Sequence, residues 1–201
     1  MRFRFLLLPA LAAMFLGCSE CTDEKAIIIA NSGDVNAETI EAIRAFAERE
    51  LKVTVHVRTA AKLAGAADIQ SAQKTAERLK KCGDAIFIAI TSIPENADHL
   101  TVSAENRTAI VNVAPLQTDD AQKFERRVER QVMRAAAFAV GLPPTPDPYC
   151  VTRDYSSLED LDRMGRNYSP PWQGRFADEA AKLGLTAPKP ECLDGVCPIK
   201  K

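Results

Sequence analysis

Two histidines, six cysteines and one short acidic run are the groups in this 201-residue chain whose chemistry reaches beyond packing. His56 lies in an alternating Val-rich stretch and His99 in a polar one. They are not one helical turn apart, so they do not form the helical pair that holds a metal from one face. With two histidines in all, a three-histidine site within the chain is excluded, and each reads as an ordinary surface or edge residue. Glu159, Asp160 and Asp162 offer a carboxylate cluster, but acidic runs beside loops are ordinarily solvated or cap local structure. Ser156 and Ser157 have no histidine near them in sequence to act as base, so an acyl-enzyme mechanism is not expected. There is no glycine-rich phosphate loop, and no cofactor is expected. The net charge is −1 with no clustered basic face, which argues against nucleic-acid binding.

The elements that must position these groups are legible as an alternation of apolar runs and Ala-rich helical stretches. Hydrophobic residues make up 46% and charged residues 26%, the balance of a globular domain. Residues 26–30, 85–90 and 108–113 are continuous apolar or β-branched runs, as in buried strands. Residues 53–57 alternate with Val inward. Residues 31–34 form a loop. Helical periodicity covers 37–51, with Ile40, Ile43 and Phe46 on one face, and 70–81. The longest helix spans about 119–141, with Phe124, Val128, Val132, Ala135 and Ala139 at spacings of three and four. Gly141 stops it, and Pro143 and Pro144 forbid continuation. From 143 to 172 the chain is proline-rich and irregular, followed by a short helix over 176–183. The order predicts an α/β (α+β) fold: a mixed β-sheet sandwiched with helices, and an irregular C-terminal part.

The long helix and the segment after it carry a resemblance. Residues 134–145 read Arg-Ala-Ala-Ala-Phe-Ala-Val-Gly-Leu-Pro-Pro-Thr; then come Cys150-Val151-Thr152, the run Ser157-Leu158-Glu159-Asp160-Leu161-Asp162, and Asn167-Tyr168-Ser169-Pro170-Pro171-Trp172. In register this resembles the archaemetzincins, zincin-like metallopeptidases of the metzincin type. Their signature is H-E-x-x-H-x-x-G-x-x-H-C, followed by C-x-M, an acidic segment and C-P-x-C. In that signature two His one helical turn apart and a third after the Gly hold zinc, and the Glu activates the zinc-bound water. The resemblance places the three zinc-ligand positions at Arg134, Phe138 and Pro144, the catalytic Glu at Ala135 and the Met at Thr152. Of the four cysteine positions for a second, structural zinc, only Cys150 is kept; Thr145, Ser169 and Trp172 stand at the others. A guanidinium at a former ligand position also repels a cation. The resemblance therefore implies a degenerate member, a pseudopeptidase with no catalytic residues and no bound metal.

The N-terminus reads as an export signal. Arg2 and Arg4 precede an apolar stretch over residues 5–16, too short to span a membrane, which ends in Phe15-Leu16-Gly17-Cys18. This resembles a bacterial lipobox, with Cys18 the lipidated residue and the membrane its partner. The expected localisation is the cell envelope, on the periplasmic side, with the outer membrane favoured in a Gram-negative host because Ser19, not Asp, follows Cys18. In an oxidising compartment disulfides are permitted, and Cys192, Cys197 and Cys150 are the candidates. The domain reading is a signal peptide over 1–17, a lipidated linker over 18–25, an archaemetzincin-like domain over 26–183 and a tail over 184–201.

Loss of metal ligands with retention of fold leaves a cleft. Zincin clefts hold an extended peptide along an edge strand, here expected near residues 100–113. Arg134, Phe138, Tyr149, Tyr155, Glu159 and Asp160 are the candidate binding residues, and the expected partner is a peptide or protein. If Arg134 instead fills the vacated site, it should pair with an acid such as Glu159 or Asp160. The alternatives are an unconventional zinc metallopeptidase and a structural envelope lipoprotein with a filled cleft.

Overall fold

A computed structural model describes residues 24–94 and 98–188; Cys18, Cys192 and Cys197 lie outside them. The chain runs β1 (Ala26–Asn31), α1 (Ala37–Leu51), β2 (Val55–Thr59), α2 (Ile69–Leu79), β3 (Asp84–Thr91), β4 (Leu100–Ser103), β5 (Thr108–Asn112), α3 (Ala121–Ala139), α4 (Leu158–Arg163) and α5 (Pro170–Lys182). The five strands form one sheet in the order β2-β1-β3-β5-β4. Pairing is parallel except between β4 and β5, so the sheet is mixed, as the sequence predicts. Among the described residues no helix is long and apolar enough to cross a membrane.

The central strands are apolar at every position because both faces are covered. On one face Ile27, Ile29, Ile86, Ile88, Ile90, Ala109 and Val111 pack against α1, α3, α4 and α5. On the other, Ile28, Phe87, Ala89 and Ile110 pack against α2. Side chains alternate sides along each strand, so a continuous apolar run serves both layers. Truncating one of the fully buried isoleucines to Ala should cost about 2–5 kcal/mol.

Helix boundaries follow local chemistry. Asn36 caps α1 by accepting from Thr39 N at 2.8 Å, and Asp68 with Ser71 forms a reciprocal capping box on α2. Asp120 accepts from Lys123 N at 3.0 Å, which starts α3 slightly later than periodicity suggests. At its other end Gly141, at φ +81°, donates to Phe138 O at 3.0 Å, and Leu142 N donates to Ala137 O at 3.1 Å. This is the two-bond Schellman closure, whose left-handed residue favours glycine. The last helix begins at Pro170, ahead of the expected 176, because Pro170 and Pro171 fall in a first turn where a missing N–H leaves nothing unpaired. Within the stretch read as irregular, Ser157 caps the six-residue α4 by accepting from Asp160 N at 3.1 Å.

Helix α3 is the axis of the domain. From Arg127 onward it is buried on nearly all sides, including Arg127, Glu129, Arg130, Gln131 and Arg134. Each of these polar groups ties it to the segment that follows. Arg127 holds Asp162, Arg166 donates to Glu129 at 2.9 Å, and Arg130 donates to the carbonyls of Asp162 and Met164. Tyr168 donates to Met133 O at 2.7 Å.

Candidate functional site

The C-terminal half of α3 and the edge strand β4 enclose a cavity of about 560 Å³. From α3 it receives Gln131, Arg134 and Phe138, which share one face at spacings of three and four. From the start of β4 come Asp98, His99, Leu100 and Val102, and from the loop before α4 come Asp154 and Tyr155.

Arg134 forms the floor and is 7% exposed. Its Nη1 donates to Val151 O at 3.0 Å and also to Arg153 O, so one side of the guanidinium holds the loop that closes the cleft. Its guanidinium carbon lies over two aromatic rings, 5.0 Å from the centroids of both Phe138 and Tyr155. That geometry gives cation–π stabilisation without neutralising the charge. Nε is buried and has no hydrogen-bond partner among the described residues. Burial lowers the guanidinium's pKa, with Tyr155 and Asp154 opposing it.

Beside it runs a chain of three polar groups. Gln131 Nε2 donates to the Tyr155 hydroxyl at 2.7 Å, and that hydroxyl lies 2.6 Å from His99 Nδ1. Either the phenol or Nδ1 can donate in this contact, according to which nitrogen of the imidazole carries the proton. Burial first, then the charges of Arg127 and Arg134, lower the His99 pKa, and only Asp98 opposes them. Burial raises the Tyr155 pKa. The His99 and Tyr155 rings stack at 5.6 Å. Gln131 Oε1, like Arg134 Nε, is buried without a partner.

The structure assembles Arg134, Phe138 and Tyr155 as the sequence suggests and leaves three other candidates out. Tyr149 is 82% exposed and lines a separate depression with Gly165 and Arg166. Tyr149 O approaches so closely that a Cβ at Gly165 would sit 1.9 Å from it. Asp160 is ion-paired to Arg153 and caps the backbone at Ser156, while Glu159 is exposed on α4. Neither acid pairs with Arg134, because α4 presents its acids to Arg153 and solvent. His99, expected as an ordinary edge residue, is instead part of the cleft. Its link to Tyr155 spans 56 residues, which no local spacing reveals. His56 is exposed on β2.

The positions that the resemblance gives to zinc do not fit a metal. Arg134 and Phe138 offer a cation and a hydrocarbon ring, Ala135 is buried with no functional group, and Pro144 is exposed outside the cavity. Among the described residues no group of three or more His, Cys, Asp or Glu side chains is placed to hold a metal ion. At the second family site Cys150 is fully buried and free rather than disulfide-bonded. Its Sγ lies 3.1 Å from Thr152 Oγ1 and accepts from Ser169 N at 3.3 Å.

No protein-family model matches the sequence, and no curated protein is significantly similar to it. Solved structures are informative. An archaemetzincin from Methanopyrus kandleri superposes with a TM-score of 0.64 at 18% identity, covering 82% of this chain and 99% of that one. A zinc-dependent peptidase from Methanocorpusculum labreanum gives 0.60 at 11% identity, covering 75% and 99%. An archaemetzincin from Archaeoglobus fulgidus, complexed with malonate, gives 0.57 at 17% identity, covering 77% and 99%. The fold is therefore that of the archaemetzincin metallopeptidases, over nearly their whole length. At these identities the likeness is one of fold, and the function must be argued from the cleft itself.

Proposed function

We propose that this protein is a non-catalytic, archaemetzincin-like lipoprotein of the bacterial cell envelope, anchored through Cys18, whose cleft binds a peptide or a partner protein. The observation that carries the reading is Arg134: a buried guanidinium, packed over two aromatic rings, stands where the resemblance expects the first zinc ligand. It leaves no His, Cys, Asp or Glu on the helix face of the cleft, which stays open beside an edge strand. β4 pairs only with β5 among the described strands, so its outer side can receive an extended segment through main-chain hydrogen bonds.

The burial of Arg134 favours a second reading, in which the cleft is structural filling and another face does the work. Substituting Arg134 and Tyr155 separates the two, since only a cleft binder loses its partner. The first test of the main reading is elemental analysis of the purified protein, paired with a peptide-hydrolysis assay. Zinc near zero per chain and no hydrolysis are the expected results, and one tightly held zinc per chain would overturn the reading. Anchoring is tested by fatty-acid labelling in a bacterial host, where C18A should lose the label.

A further inference from the structure

We infer that the cleft recognises a terminal carboxylate, gripped by the Nε–Nη2 edge of Arg134; this rests on the cleft being a binding site, as proposed above. The fork of a guanidinium that meets a carboxylate side-on is made by Nε and Nη2. The same helix shows the occupied version: Arg127 donates through Nε and Nη2 to the two oxygens of Asp162 at 2.8 and 2.7 Å. On Arg134 the loop carbonyls take Nη1 and not Nη2, and Nε is buried without a partner among the described residues. Arg134 thus lines the cavity almost wholly buried, with no carboxylate hydrogen-bonded to its fork among the described residues. An unpaired buried charge is costly, and a carboxylate ligand would remove that cost.

The surroundings narrow the ligand. Leu100, Val102 and Phe138 give the cavity an apolar wall, which suits an aliphatic side chain next to the carboxylate. Asp98 and Asp154 stand on the cavity lining as well. They repel a second negative charge, so a ligand with a single terminal carboxylate is favoured over a diacid. The two sources of such a group are the C-terminus of a peptide and a small branched acid.

The experiment is calorimetric titration of the full chain with acetyl-Ala-Ala-Leu as free acid, the same peptide as its C-terminal amide, and isovalerate, with R134Q and R134K alongside. A charge-assisted bidentate pair corresponds to roughly 10–100-fold in affinity, so the free acid should bind at least about tenfold more tightly than the amide. R134Q should abolish that difference. R134K keeps the charge but not the fork and should lose most of it. Thermal melts of both variants confirm that they are folded before titration. Binding of isovalerate as tightly as the free acid supports the carboxylate and names the small acid as its source. Equal binding of free acid and amide overturns the inference while leaving a peptide cleft intact. No binding by any of the three overturns both the inference and the peptide-binding reading.

Discussion

The two halves of helix α3 treat the same residue type in opposite ways. Arg127, in the first half, lies against Asp162, and that hydrogen-bonded pair raises its pKa despite burial. Arg134, two turns on, is as deeply buried but meets two carbonyls and two aromatic faces, and burial lowers its pKa. The first cation is neutralised by an acid of its own chain. The second is held rigidly and left unneutralised beside a cavity. The contrast teaches where to look for function: burial is shared, and what differs is whether the chain supplies the counter-ion.

The largest effect should come from breaking the closed half. Asp162→Ala leaves Arg127 buried without its acid and Lys123 without its partner, and should cost about 3 kcal/mol in urea unfolding. A loss under about 1 kcal/mol would mean that Arg127 is no better satisfied than Arg134. In the open half, Arg134→Met forfeits two carbonyl contacts but removes an uncompensated buried charge. These offset, so the net loss should be about 1 kcal/mol, well below that of Asp162→Ala. A loss as large as that of Asp162→Ala would show the open half to be structural after all.

The smallest effects are in pH dependence, and they separate the halves by window. Asp162 is held below the usual carboxylate range, first by its hydrogen bond to Arg127 and also by Lys123. Its stabilisation is complete above about pH 4 and is lost as pH falls through the lower folded value. His99 is also depressed, but for a base this means that the folded state binds fewer protons than the unfolded one. Stability should therefore fall as pH drops below about 6.5 toward the folded value. Urea midpoints measured across pH should show H99Q flattening the upper window and D162N the lower. If H99Q leaves the upper window unchanged, His99 is not the group that the cleft keeps neutral.

Much of the scaffold was legible in sequence because it rests on short-range periodicity. The runs that became β1 and β3 are apolar at every position since two layers cover them, and the α3 stripe with Gly141 marked the helix and its end. β4 was harder: its four residues are all half-buried, as an edge strand should be, and carry no alternation to read. α4 lay within a charged segment whose acids serve caps and ion pairs. At the site, Arg134 and Phe138 are legible through their register with a known motif, and Tyr155 as part of the loop that follows the helix. His99 and Gln131 were missed because their roles arise only when β4, α3 and the loop at Tyr155 converge. Tyr149 lies outside the cleft, exposed beside Gly165 and Arg166.

The polarity of the strands has a consequence for presentation. β1, β3 and β5 all start at one end of the sheet, where Lys25 leads into Ala26 and its ammonium donates to Cys82 O. β4 runs the other way, so Leu100 stands opposite Val111 near the far end of β5. The mouth of the cavity at His99 and Leu100 is thus separated from the point where the chain enters the sheet by the length of β5, on the order of 15 Å along the strands. A segment docked along β4 at Leu100 would therefore sit at the opposite end of the sheet from Lys25.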